Sequence, residues 1–83
     1  MDAKAPLTCL ALCPGRHLLA MGDAVGLVQL LDTDTRQVVA TLAGPTAAIQ
    51  ALAFAPNGQT LCLGSARGTV KLWRVAEVLR AAP

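Results

Sequence analysis

The chain has 83 residues, of which 54% are hydrophobic, 14% charged and 2% aromatic, and it carries a net charge of +2. A chain this short buries only about 60% of the surface it exposes when unfolded, so a mean hydropathy of +0.53 leaves more apolar surface than one small domain hides and implies a covering neighbour. The scattered basic residues and the shortage of aromatics argue against a nucleic-acid partner, no apolar run reaches the ~18 residues of a membrane span, and Met1-Asp2-Ala3-Lys4 does not open a secretory signal peptide.

After a lead of residues 1–6, Leu7–Leu12 reads as a first strand, closed by the turn pair Pro14-Gly15. Leu18–Met21 follows as a second strand, then a tight connection from Gly22 to Gly26, then a third strand over Leu27–Leu31. Asp32-Thr33-Asp34-Thr35 is a polar turn leading into a fourth strand, Gln37–Leu42, which stops before Gly44-Pro45. Ile49–Phe54, Thr60–Leu63 and Thr69–Trp73 repeat the first three strands, separated by Pro56-Asn57-Gly58 and by Gly64 to Gly68. Glycine in these connections is expected to supply the positive φ of tight hairpins. Ala76–Ala82 has helix formers and no alternation, and reads as a short helix or tail whose Val78 and Leu79 pack on the last strands.

The second half restates the first without a gap. Leu7 to Thr33 aligns with Ile49 to Val75 at a period of 42 residues, with identities at Leu10/Leu52, Ala11/Ala53, Pro14/Pro56, Leu19/Leu61, Gly22/Gly64, Ala24/Ala66, Gly26/Gly68, Val28/Val70 and Leu30/Leu72. These are turn residues and alternating apolar positions, which a repeated antiparallel meander needs. The divisions are therefore repeat 1 over residues 7–48, an incomplete repeat 2 over residues 49–75, and a tail over residues 76–83.

Ala53-Phe54-Ala55-Pro56-Asn57-Gly58, Leu61-Cys62-Leu63-Gly64-Ser65 and Gly68-Thr69-Val70-Lys71-Leu72-Trp73-Arg74 follow the order of a known repeat. With them, Leu7 to Val75 resembles the WD40 repeat family, whose pattern runs Phe-Ser-Pro-Asp-Gly, Leu-Ala-Ser-Gly-Ser and Thr-Val-Lys-Leu-Trp-Asp. Repeat 1 carries Leu31-Asp32 at the Trp-Asp position. The resemblance implies an all-β protein of two four-stranded antiparallel propeller blades, a partial propeller whose second blade lacks its fourth strand. It also implies that an outermost strand beside Thr69–Trp73 comes from sequence outside this chain.

In that family a His, a Ser or Thr, an Asp and the Trp form a buried hydrogen-bonded network. Only Ser65 and Trp73 stand at those positions in repeat 2, where Gly44-Pro45 replaces the His and Arg67 the Asp. A guanidinium accepts no hydrogen bond, so the network is expected to be absent or satisfied by water, and the blade less rigid.

Little in the chain points to chemistry. Cys9, Cys13 and His17 share a four-residue spacing, but Pro14-Gly15 breaks the helix that would line them up for a metal. With Cys62 they leave an odd thiol, as expected of reduced cysteines in an intracellular protein. Gly22 to Gly26 has no following Lys-Ser/Thr and is a hairpin rather than a phosphate loop. Thr8, Thr46, Ser65 and His17, the candidates for nucleophile and base, fall on separate strands and loops. No enzyme, cofactor or metal site is expected.

Binding sites are expected where the family displays its loops: Gly44 to Ala48, Asp23 to Val25 and Ser65 to Arg67. Asp23, Thr46 and Arg67 are the candidate partner contacts, while Gly22, Gly26, Gly64, Ser65, Gly68 and Trp73 are expected to be structural, with Trp73 packed between blades. The expected function is a non-catalytic scaffold for protein–protein interaction. Two blades fall short of the roughly 4–8 of a closed ring, so a fragment or short isoform of a larger WD40 protein is expected. Its partners are then other proteins, the remaining blades or further copies of the chain, without nucleic acid or membrane. The alternatives are a docking or sensor segment of a large multidomain NTPase or other enzyme, and a truncated product with no independent function.

Overall fold

The structure, a computed structural model, describes residues 5–43 and 47–81. Strands β1 (Leu7–Leu12), β2 (Leu18–Asp23), β3 (Leu27–Asp32) and β4 (Val38–Ala43) form one antiparallel sheet in the order β1-β2-β3-β4. Strands β5 (Ile49–Phe54), β6 (Thr60–Ser65) and β7 (Val70–Arg74) form a second in the order β5-β6-β7, followed directly by helix α1 (Val75–Ala81). These are two propeller blades, the second three strands wide, as the repeat pattern implies.

The antiparallel register decides which residues share a face. Cys9, Ala11, Ala20, Gly22, Val28 and Leu30 lie on the face of blade 1 that meets blade 2. Ile49, Leu52, Phe54, Leu61, Leu63 and Trp73 lie on the face of blade 2 that meets blade 1. Ile49 and Leu52 are three residues apart and would oppose each other in a regular strand. A register shift between Ile49 and Ala51 turns both inward, and the same shift recurs between Leu7 and Cys9. Val28, Leu30, Ile49, Leu61 and Leu63 are fully buried in the seam, each contributing about 1.5–3 kcal/mol by its removal from water.

The blades touch where side chains are missing. A Cβ on Gly22 would come 2.7 Å from Cβ and Cγ2 of Ile49, and a Cβ on Gly58 would come 2.5 Å from the Pro14 carbonyl oxygen. This corrects the expectation that Gly22 and Gly64 open the hairpins with positive φ. Both sit inside strands β2 and β6, and the left-handed glycines are Gly15, Gly26, Gly58 and Gly68. At Gly22 the reason is space for Ile49, not backbone freedom, and β2 and β6 therefore run two residues past their expected ends.

Helix α1 begins one residue before its expected start, because Val75 N–H donates to the Gln59 carbonyl (2.9 Å) and its side chain is buried. In blade 1 the same point of the repeat is a turn: Asp32 Oδ1 accepts from the N–H groups of Asp34 (2.8 Å) and Thr35 (3.1 Å), and Arg36 takes φ 62°. Arg74 stands where Asp32 stands and has no such acceptor. The chain continues as a helix whose Val78 and Leu79 pack on the core, touching β4 of blade 1 as well as β7.

Among the described residues, both end faces present exposed apolar side chains, although Met21 on the outer face of blade 1 is buried. Leu10 (57% exposed) and Leu12 (71%) lie on the outer face of blade 1, and Val70 (69%) and Leu72 (68%) on that of blade 2.

Candidate interaction surface

The connections β2–β3 and β6–β7 lie at one end of the blades and are built alike. Asp23 Oδ1 accepts from the N–H groups of Val25 (3.0 Å) and Leu27 (2.9 Å), and Ser65 Oγ accepts from those of Arg67 and Thr69 (3.3 Å each). Gly26 (φ 96°) and Gly68 (φ 84°) complete the two turns, with N–H bonds to the Asp23 and Ser65 carbonyls. Each turn is tied to the segment before a first strand: Ala24 N–H donates to the Pro6 carbonyl and Ala66 N–H to that of Ala48. The result is a pair of braced turns presenting Ala24, Val25, Ala66 and Arg67 to solvent.

Asp23, expected among the partner contacts, has its carboxylate inside the turn and is 7% exposed. Arg67 is exposed, and among the described residues no carboxylate lies within ion-pair distance of it. Thr46 lies outside the described residues. Ser65 is buried and bonded to its own turn rather than to Trp73, and Trp73 is half-buried against the core. Val25 is 65% exposed; it falls in the Asp23 to Val25 loop expected to bind, although its apolar side chain carries no chemical signal in the sequence. Asp23→Ala is expected to cost about 1–3 kcal/mol, because it leaves two turn N–H groups without their acceptor; urea denaturation measures it.

Of the residues considered for chemistry, Thr8 and Ser65 both flank Ile49 at one end of the blades, whereas His17 lies at the other. Thr8 Oγ1 lies within hydrogen-bond reach of the Ile49 and Gly22 carbonyls, so its hydroxyl ties the blades together. His17 Nδ1 and Asp34 Oδ1 are 3.0 Å apart and largely exposed at the opposite end, beside an open groove that Leu18, Val39 and Leu79 line. No sequence signal pairs His17 with Asp34, which come from different turns. Among the described residues, no three of His, Cys, Asp and Glu are grouped to hold a metal ion.

Cys13 is buried, with Sγ directed at the Gly58 carbonyl (3.4 Å). Burial pushes its thiol pKa up, with the Arg16 charge pulling the other way. In the folded chain Cys13 is expected to alkylate last of the three cysteines and only at elevated pH. Because the folded value lies above the unfolded one, this thiol costs no stability below the ordinary thiol range, and stability falls as pH climbs from there through the folded value. Mass-resolved alkylation and denaturation across that range check both.

The family described as "Anaphase-promoting complex subunit 4 WD40 domain" matches residues 9–79, from the first strand of blade 1 into α1. The chain belongs to this WD40 family. Telomerase protein component 1 of Rattus norvegicus is 34% identical over 76 residues, 92% of this chain and 3% of that protein. The WD40 chain thus spans a small part of that relative's length. Among solved structures, the β-propeller domain of Myceliophteria thermophila Cps50 (Swd1) superposes with a TM-score of 0.83 at 24% identity, over 99% of this chain and 24% of that one, a likeness of fold alone. The computationally designed Ika4 protein superposes with a TM-score of 0.79 at 26% identity, over 89% of this chain and 44% of that one. WD40 propellers serve in general as platforms for other proteins, and the braced turns described above suit that use.

Proposed function

We propose that this WD40 chain is a non-catalytic scaffold that binds another protein through the end of the blades carrying Val25, Ala66 and Arg67. The observation that carries this reading is the double brace: Asp23 and Ser65 hold their turns by side-chain bonds to two N–H groups each. A pre-ordered loop loses little conformational freedom on binding, which favours affinity. Arg67 supplies a charged contact and Val25 an apolar one. An acidic, partly apolar segment of a partner protein fits that pair, and neither nucleic acid nor a membrane is needed as a partner.

The placing of His17 at the end of the blades opposite Thr8 and Ser65, which both flank Ile49, leaves either hydroxyl without an imidazole base and supports a role without catalysis. The small share of its relative that the chain spans supports its being a short form or segment of a larger intracellular WD40 protein. Affinity capture with crosslinking tests the scaffold reading. A partner crosslinked beside Val25 or Arg67, and lost with Arg67→Glu and Val25→Asp while the β-sheet circular dichroism is retained, is the expected result. A partner indifferent to both substitutions overturns this assignment of the surface.

A further inference from the structure

The two uncovered faces are the two halves of the seam the molecule already contains. Shifted by the 42-residue period, the blade 1 side of the seam (Cys9, Ala11, Ala20, Gly22, Val28, Leu30) becomes Ala51, Ala53, Cys62, Gly64, Val70 and Leu72. That set is the outer face of blade 2. The blade 2 side likewise maps back: Ile49, Leu52, Phe54, Leu61 and Leu63 become Leu7, Leu10, Leu12, Leu19 and Met21, on the outer face of blade 1.

The contact points map as well. Gly22 is pressed against Ile49, whereas Gly64 has nothing within 4 Å of where a Cβ would stand, and Leu7, the counterpart of Ile49, is 44% exposed. Gly58 meets Pro14 at the other end of the seam. Its counterpart lies one residue early, at Gly15, which has the same left-handed backbone (φ 72°) and open space around it.

We propose that the outer face of blade 2 binds the outer face of blade 1 of a second copy of this chain, head to tail, with Leu7 of one copy seated over Gly64 of the next. Head-to-tail contacts close into a ring when the rotation permits. Rings of roughly 4–8 blades correspond to about two to four copies. The inference rests on the seam and not on the scaffold reading, so loss of partner binding at Arg67 leaves it standing.

Gly64→Val isolates the contact. Within one chain a Cβ at position 64 has nothing within 4 Å, φ is not positive, and valine suits a strand; between copies that Cβ strikes Leu7 as a Cβ on Gly22 would strike Ile49. Light scattering after size exclusion is expected to give one discrete species of about two to four 8.5 kDa chains for the 83-residue protein. Gly64→Val is expected to give the single-chain mass with an unchanged far-UV circular dichroism spectrum, and Leu10→Asp, on the opposite face, the same. The proposal is overturned by a single-chain mass for the unaltered protein, which would reserve the faces for blades of a longer chain. A continuous distribution of aggregates, or a Gly64→Val variant that keeps the unaltered mass, also overturns it.

Discussion

Gly58→Ala is expected to destabilise the protein by about 2–5 kcal/mol, a large effect for a single methyl group on a turn. Two costs combine. Gly58 has φ +71°, where a side chain costs roughly 1–2 kcal/mol. The new Cβ would also stand 2.5 Å from the Pro14 carbonyl oxygen across the seam, a backbone atom that no side-chain rotation moves away, and such overpacking costs about 1–3 kcal/mol. Gly15→Ala provides the control: its φ is +72° but nothing lies within 4 Å, so only the backbone cost applies. Equal losses for the two variants in urea denaturation would mean that the blades do not meet at Gly58.

Leu63→Ala is expected to cost about 2–5 kcal/mol, and Leu72→Ala within about 0.5 kcal/mol of nothing in the separated chain. The two leucines lie on adjacent strands of one sheet, Leu63 on the central strand β6 and Leu72 on the edge strand β7, and they point to opposite faces. Leu63 is completely buried, opposite Leu52 and inside the seam, whereas Leu72 is 68% exposed on the outer face. Truncating Leu63 leaves a cavity lined by neighbours that are themselves pinned by the sheet. Truncating Leu72 removes a side chain that water already surrounds. The comparison belongs under conditions in which Gly64→Val keeps the chains apart, since the proposed assembly would bury Leu72 and make its loss costly.

The fold was legible because the repeat places its punctuation twice. Pro14-Gly15 and Pro56-Asn57-Gly58 mark the same hairpin, and alternation fills the strands between. Gly22 and Gly64 read as turn residues because each stands beside a loop, whereas both lie inside strands without positive φ. The contact that requires glycine at position 22 comes from Ile49, which is far along the chain and carries no local signal. The candidate surface was legible as a set of loops but not in its details. An aspartate in a turn looks solvated until its geometry shows it bonded to two N–H groups, so Asp23 is a brace, while Arg67 keeps an exposed side chain. Thr8 drew attention only as a hydroxyl. Its tie to the Ile49 carbonyl depends on the approach of two blades, which composition and periodicity do not encode.

Two consecutive WD40 blades pack face to face through Gly22 and Ile49. Nuclear Overhauser spectroscopy on the isotope-labelled chain tests it most directly. Cross-peaks are expected from the Ile49 γ2 methyl to the Gly22 α protons, and from Thr8 to Ile49, alongside the strand pairings within each sheet. Full sets of cross-peaks within each sheet with none between Ile49 and Gly22 would contradict it.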